Sequence, residues 1–348
     1  MFLEVEKPKF RDLIGGRSFK GKITPPVLKE DVLRGVKIVG SGKAAVSLII
    51  EYLREKKVIK NKLDEMIVAD WIGFDVYKQL NSFVFPSKKF SGRSRIIFVY
   101  HQYGFPQDMD KIMEFARERK LIVIEDCANV LDSYYKGKKL GTIGDFAIYS
   151  FSKWFFCFAL GGVRANPQLK DFDDFTDELL SRTPFGFTAG KDIVKFFTER
   201  SRFSKNKFFK KIARIFLLMS YSLYGDALKA SKPAKNLLNL KLENEIKVRK
   251  ERYRKFLEET EGLGICDHLE KEGITPYVIP VHCNDLKNEE LVKNFRSMGF
   301  ITGVYHFDMN RNLLNPKFEK CVWIPCHSGI SDEDFLAITE MVVKTVKN

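Results

Sequence analysis

An α/β fold is predicted by three features of this 348-residue sequence. Between residues 36 and 166, short apolar runs alternate with amphipathic helical stretches, the pattern of strands and helices layered on a mostly parallel sheet. One run, 121–124, is apolar without interruption, as a strand buried on both faces must be. It leads directly into Glu125 and Asp126. Polar residues at the carboxyl ends of strands mark the edge of an open α/β sheet where ligands bind. The chain is long enough for a large domain and a smaller one, each with its own core.

The elements follow in order. The turn Gly40-Ser41-Gly42 leads into a helix over 43–54. A β-rich run occupies 96–99. Met109, Ile112, Met113 and Ala116 recur at helical spacing and share one apolar face. Another strand is expected over 146–149. Residues 171–235 are basic and aromatic and read as a helical insert. Leu242, Ile246, Tyr253, Phe256 and Leu257 mark a long helix that bridges to a second domain. This places a large domain, with an N-terminal arm and the insert, at 1–240 and a small C-terminal α+β domain at 241–348. The tail offers a strand over 277–281, a helix near 289–297 and a closing helix with Ser331 and Asp334 as its capping pair. There is no internal repeat and no low-complexity tract.

Hydrophobic content of 45% and charged content of 30% are those of an ordinary globular protein. The 31 phenylalanines suggest large apolar interfaces beside the core. Residues 1–9 are charged and lack a signal-peptide apolar stretch. No window approaches the roughly 20 apolar residues of a spanning helix. The six scattered cysteines, Cys127, Cys157, Cys266, Cys283, Cys321 and Cys326, read as reduced, mostly buried thiols of a cytoplasmic protein. A net charge of +14 favours an anionic partner. No nucleic-acid signature accompanies it, so an anionic small molecule is expected and nucleic acid is not. The stretch 208–224 mixes Lys210, Lys211 and Arg214 with apolar residues. It suits an interfacial membrane helix or a dimer-facing or core helix, and the latter is expected. His282, His306 and His327 are isolated by spacing, so no metal site is expected.

Three motifs carry chemistry. The first is Gly40-Ser41-Gly42-Lys43-Ala44-Ala45 at a strand-to-helix junction, where backbone N–H groups at a positive helix end suit a phosphate. A Walker A loop fails, because its first glycine would fall at Lys37 and Ala44 occupies its Ser/Thr position. A dinucleotide fingerprint of the GxGxxA kind fits the turn. Its acid is poorly placed, since Asp70 lies beyond the usual spacing of about 20 residues. A phosphate cup for a smaller cofactor fits as well, and so does a plain tight turn. The second motif is Asp126, with Asn129 three residues later. Such a carboxylate either caps the following turn or pairs with a protonated ring nitrogen, as the pyridine electron sink of pyridoxal phosphate (PLP) requires. The third is Ser150-Phe151-Ser152-Lys153 after the 146–149 strand. A lysine at the mouth of a sheet can form a Schiff base once partly deprotonated, with Ser150 offering its hydroxyl to the cofactor phosphate. Phosphate turn, acid, then serine and lysine follow one another, each at a strand end of one α/β domain.

In this order the chain resembles the DegT/DnrJ/StrS family of PLP-dependent sugar aminotransferases. The segment from His101 to Asp110, HQYGFPQDMD, resembles the family's VHxYGxPxDMD. Val123 to Asn129, Tyr135-Lys136-Gly137, Gly141 to Asp145 and Ser150-Phe151 follow at the family's internal spacing. Ser41 to Ala45 resembles its SGTAA turn, Arg249 to Leu257 its RRxNYxxL helix, and Gly303 to His306 a substrate-side loop. The likeness implies PLP fold type I, with a large mostly parallel-sheet domain, a small C-terminal domain and a homodimeric active site. It implies that Lys153 holds the cofactor and that Asp126 pairs with the pyridine nitrogen. Asn129 then replaces a glutamine that contacts the ring oxygen. Gly42, Lys43 and Ala44 cup the phosphate with Ser150, and Trp71 or Phe74 stacks on the ring. Family members move an amino group from glutamate to a keto sugar nucleotide in glycan or surface-polysaccharide biosynthesis.

The chain also departs from the pattern. The family lysine usually lies five residues after the serine, where Phe155 stands here. Lys153 lies three after it, and the run to Gly161-Gly162 is one residue shorter, as in an SLRK-like variant. No G-x-N-x-R segment follows Arg182. Three other readings are a sugar dehydratase, which would carry histidine in place of Lys153, a catalytically silent homologue serving as a binding subunit, and a NAD(P) dehydrogenase.

Overall fold

Apolar runs in the first half of the chain become the strands of one central sheet. The computed structural model describes residues 8–10, 12, 31–202, 204, 206–211, 215, 224–226 and 228–348. The strands are β1 (Lys37–Val39), β2 (Glu65–Ile67), β3 (Phe85–Ser87), β4 (Ser94–Tyr100) and β5 (Ile122–Cys127). A hairpin of β6 (Tyr134–Tyr135) and β7 (Lys138–Lys139) then precedes β8 (Phe146–Tyr149) and β9 (Gly161–Ala165). The seven-stranded order is β1-β9-β8-β5-β4-β2-β3. Pairings from β3 through β8 are parallel, whereas β9 runs antiparallel to both β8 and β1.

Side chains alternate across this sheet as strand geometry demands. Ile96, Phe98 and Ile124 join the core beneath α1 (Gly42–Glu55). Ile97, Val99 and Val123 join a second core with Ile112 and Ala116 of the helix over Met109–Arg119. Helix α1 forms where Ser41, in extended backbone, accepts the Ala44 N–H on its hydroxyl at 2.9 Å. Its Ala44, Ala45, Leu48, Ile49, Tyr52 and Leu53 are buried on the sheet side. The remaining helices of the large domain are α2 (Phe74–Phe83), α3 (the Met109–Arg119 helix), α4 (Phe172–Ser181) and α5 (Phe185–Arg202).

The long helix α6 (Lys232–Glu259) runs unbroken through position 240, where the sequence places a domain boundary. Beyond it stand β10 (Ile279–Val281), α7 (Asp285–Ser297), β11 (Val304–Asp308), β12 (Phe318–Ile324) and α8 (Asp332–Lys347). The three strands form a separate antiparallel sheet in the order β10-β12-β11. Ser331 caps α8 by accepting the Asp334 N–H at 3.0 Å, as its sequence predicts.

Glu125 and Asp126 stand near the carboxyl end of β5 as expected, paired in register with Val99 and Tyr100 on one side and with Ala147 and Ile148 on the other. Two expectations need correction. The strand expected over 277–281 begins only at Ile279, since the Tyr277 N–H is donated across the molecule to the Tyr103 carbonyl at 2.8 Å. The strand β1 before the GxGxxA turn lies at the sheet edge, antiparallel to β9. A dinucleotide-binding βαβ unit needs a parallel strand there. All six cysteines are free and buried, as expected. Among the described residues no helix is long and apolar enough to cross a membrane. Most of the 208–224 stretch lies outside the described residues.

Candidate active site

Parallel register aligns the carboxyl ends of β4, β5 and β8. Tyr100 pairs with Asp126, and Cys127 pairs with Tyr149. The residues that follow those ends therefore meet along one edge. Ser150 and the short helical turn Phe151–Lys153 come directly after β8.

The amino end of α1 reaches the same edge. A Cβ built on Gly42 would lie 3.1 Å from the Ser150 Cβ and 3.3 Å from its hydroxyl oxygen, so Ser150 stands against the first turn of α1. Gly161 closes the other side. A Cβ there would lie 2.3 Å from the Ser41 carbonyl carbon and 2.5 Å from the Gly42 nitrogen, so only glycine lets β9 approach this turn. The turn thus sets the amino end of a helix beside a hydroxyl, an arrangement that suits a phosphate. Lys43 adds a cation that burial holds below its ordinary pKa. Asp75 opposes that shift, while Lys78 and Lys195 reinforce it.

Behind the turn lies Lys191 of α5, which sequence reading left inside an undifferentiated basic insert. It is fully buried, and its ammonium donates to the carbonyls of Gly40 at 2.8 Å, Ala159 at 3.2 Å and Lys229 at 3.4 Å. The Asp192 carboxylate is 3.7 Å away. One cation thereby ties together the phosphate turn, the segment before β9 and the approach to α6.

Asp126 takes the capping role that its position allows. Its Oδ1 accepts the Ala128 N–H at 2.9 Å and so caps the following turn. Asp126 is only 2% exposed. Burial raises its pKa, and the nearby Lys153 charge opposes the rise. The Lys153 amine has no partner among the described residues and remains half-buried. A buried carboxylate and an amine whose charge it feels form an arrangement a charged ring can complete. PLP fits it: Oδ2 would take the pyridinium N–H, Lys153 the aldehyde and the α1 turn the phosphate.

Asn129 lies beside the acid, and its Oδ1 accepts the Tyr100 hydroxyl at 2.7 Å, leaving the amide nitrogen as a donor. Trp71 lines a cavity with Tyr100, Gln102 and Phe318. One of its faces carries the His306 ring, with centroids 4.2 Å apart and 12° between planes. Trp71 is 53% exposed, and Phe74, the first residue of α2, is 77% exposed and outside that cavity.

Glu125, one residue from Asp126, is spent on structure. It accepts the N–H groups of Gly141, Ile143 and Gly144 at 2.7–2.8 Å and faces the His101 Nε2 at 3.1 Å. Burial would raise its pKa, but His101 and these backbone donors outweigh that and hold it low. His101, Glu125 and Cys127 lie within metal-ligand reach of one another. However, the His101 Nδ1 already accepts the Gln107 N–H at 3.2 Å, and both Glu125 oxygens are occupied. The cluster clasps β5 to the 141–144 loop. Asp70, the acid a dinucleotide would need, instead faces the Lys88 ammonium at 3.4 Å.

Residues 87–164 match the DegT/DnrJ/EryC1/StrS aminotransferase family. GDP-perosamine synthase of Escherichia coli O157:H7 is 47% identical over 64 residues, 18% of each chain. A dTDP-3-amino-3,6-dideoxy-alpha-D-galactopyranose transaminase of Aneurinibacillus thermoaerophilus is 42% identical over 64 residues, again 18% of each chain. The aligned segment therefore spans less than a fifth of these relatives' own length. Likeness of fold extends much further. The aminotransferase TlmJ from Streptoalloteichus hindustanus superposes with a TM-score of 0.65 at 15% identity, covering 99% of this chain and 98% of that one. Spr1654 from Streptococcus pneumoniae in its PLP-form gives 0.65 at 14% identity, with the same coverage. At such identities the superpositions establish a shared fold.

Proposed function

We propose, for a chain whose residues 87–164 belong to the DegT/DnrJ/EryC1/StrS family, that it is a PLP-dependent aminotransferase acting on a keto sugar nucleotide, with glutamate as amino donor. The observation that carries this reading is the buried Asp126, its raised pKa opposed by the Lys153 charge, at the sheet edge that also presents Ser150 and the α1 turn. When bound, PLP supplies an electron sink that takes up the charge left as a proton leaves the substrate's amino-bearing carbon.

The protein's residues prepare that chemistry. Gly42, Lys43, Ala44 and Ser150 bind and orient the phosphate. Asp126 keeps a proton on the pyridine nitrogen, because a carboxylate deprived of water is stabilised by a cationic partner. Asn129 donates to the ring oxygen, and Trp71 covers one ring face and excludes water from it. Lys153 anchors the cofactor and, once released by the substrate's amine, moves a proton between the substrate carbon and the cofactor C4′. The net charge of +14 suits a diphosphate-bearing substrate. A cytoplasmic homodimer serving glycan biosynthesis is part of the same reading.

The test is direct. Purified protein, PLP and glutamate are incubated with GDP-, dTDP- and UDP-linked keto sugars, and products are separated by mass. An amino sugar nucleotide with stoichiometric 2-oxoglutarate supports the proposal. Bound PLP without turnover of any donor or acceptor would instead support a silent binding subunit.

A further inference from the structure

The residue after the anchoring lysine is a fully buried tryptophan, and its contacts run in two directions. Its indole Nε1–H donates to the Ala128 carbonyl at 3.2 Å. Ala128 is the same peptide residue whose N–H holds the Asp126 Oδ1 at 2.9 Å. On the other side, the Trp154 carbonyl accepts from the Arg249 Nη2 at 3.4 Å, and the guanidinium carbon lies 4.7 Å from the indole centroid. Arg249 is itself fully buried, paired with Glu245, and donates to the carbonyls of Pro276 and Tyr277. The Tyr277 ring meets the indole edge-on with centroids 5.4 Å apart. A single side chain therefore joins the turn carrying Lys153, the turn carrying Asp126 and the helix that leads to the small domain.

We propose that Trp154 is a positioning residue that fixes the reach of the Lys153 amine toward Asp126, through the hydrogen bond from its indole to Ala128. The inference rests on the PLP reading of the site and deepens it. Lys153 lies three residues past Ser150, on the short helical turn that Trp154 closes. The Phe151–Lys153 turn ends at Trp154, whose N–H returns to Phe151, so the amine moves with the indole's anchor. A rigid anchor keeps the released amine close to the reacting carbon, the geometry on which proton transfer depends.

Two variants test the assignment in the PLP-loaded protein. W154F keeps an aromatic ring in the cavity but removes the N–H. W154H can place an Nε2–H near the position of the indole N–H. Three quantities are read: the borohydride-reduced adduct mapped by mass, the pH midpoint of the visible absorbance, and the single-turnover rate with glutamate. In W154F the adduct remains on Lys153 and the midpoint falls by about half a pH unit, since a protonated nitrogen further from a carboxylate is less favoured. The rate falls about fivefold, the scale of one lost hydrogen bond. W154H returns both toward the unaltered protein, which a role in filling space alone would not do. If W154F carries the adduct with unchanged midpoint and rate, the positioning role is wrong and the PLP reading stands. If W154H reproduces the W154F defect, the indole N–H is not what matters, and the proposal is overturned. If the unaltered protein forms no adduct, both readings fail.

Discussion

Replacing Gly161 with alanine tests how closely the phosphate turn is fitted. The added Cβ would lie 2.3 Å from the Ser41 carbonyl carbon, 2.5 Å from its oxygen and 2.5 Å from the Gly42 nitrogen, against an ordinary contact beginning at 3.4 Å. All three atoms belong to backbone, so no side chain can swing away. The turn must retreat by about an ångström or β9 must leave its pairing with β1, which joins Val39 to Gly161. A displacement of that size breaks or lengthens the helix-terminal N–H bonds to a phosphate. Each such charge-assisted bond contributes about 1.5–3 kcal/mol, so losing two costs at least about 3 kcal/mol, or roughly a hundredfold in affinity. The assay is equilibrium titration of the apoprotein with PLP, followed by the visible band. Circular dichroism monitors the fold alongside it. A folded Gly161→Ala protein that binds PLP within threefold of the unaltered one would refute the role given to this turn.

Other consequences follow from the same geometry. Asp126 has its pKa raised by burial, against the opposing Lys153 charge, so the folded apoprotein holds this proton more tightly than the unfolded chain does. Its contribution to stability is present at acid pH and declines as pH climbs from the ordinary carboxylate range through the raised value. Asp126→Asn removes that decline, and urea denaturation across pH should show the variant gaining on the unaltered apoprotein as pH rises. The same substitution should abolish transamination while PLP still loads onto Lys153. Lys191→Met leaves the carbonyls of Gly40, Ala159 and Lys229 without their shared donor. It should lower unfolding free energy by about 3 kcal/mol in urea titration and weaken PLP binding through the loosened turn.

Much of the site was legible because its signals are local. Asp126 and Ser150 stand beside apolar runs, and the parallel register of β4, β5 and β8 turns that sequence position into shared space. Ser41 announces α1 as a cap, and Ser331 announces α8 in the same way. What escaped depends on partners distant in the chain. The Gly40-Ser41-Gly42 turn resembles a dinucleotide fingerprint because local spacing carries no record of strand direction, and β1 proves to be an antiparallel edge. Lys191 looks like any lysine of a basic helix until the fold closes three carbonyls over its ammonium. Local sequence does not tell Trp71 from Phe74, whereas in the fold the His306 ring of β11 stacks on Trp71. Trp154 carries no local signal, since its hydrogen bond to Ala128 spans 26 positions.

The most direct test is where vitamin B6 becomes attached. Borohydride reduction of the PLP-loaded protein, followed by proteolysis and mass spectrometry, places the reduced pyridoxyl group without any assumption about substrate. A single modified peptide carrying the group on Lys153 is expected, and none after Lys153→Arg. A group found on Lys43, on Lys191 or nowhere would contradict it.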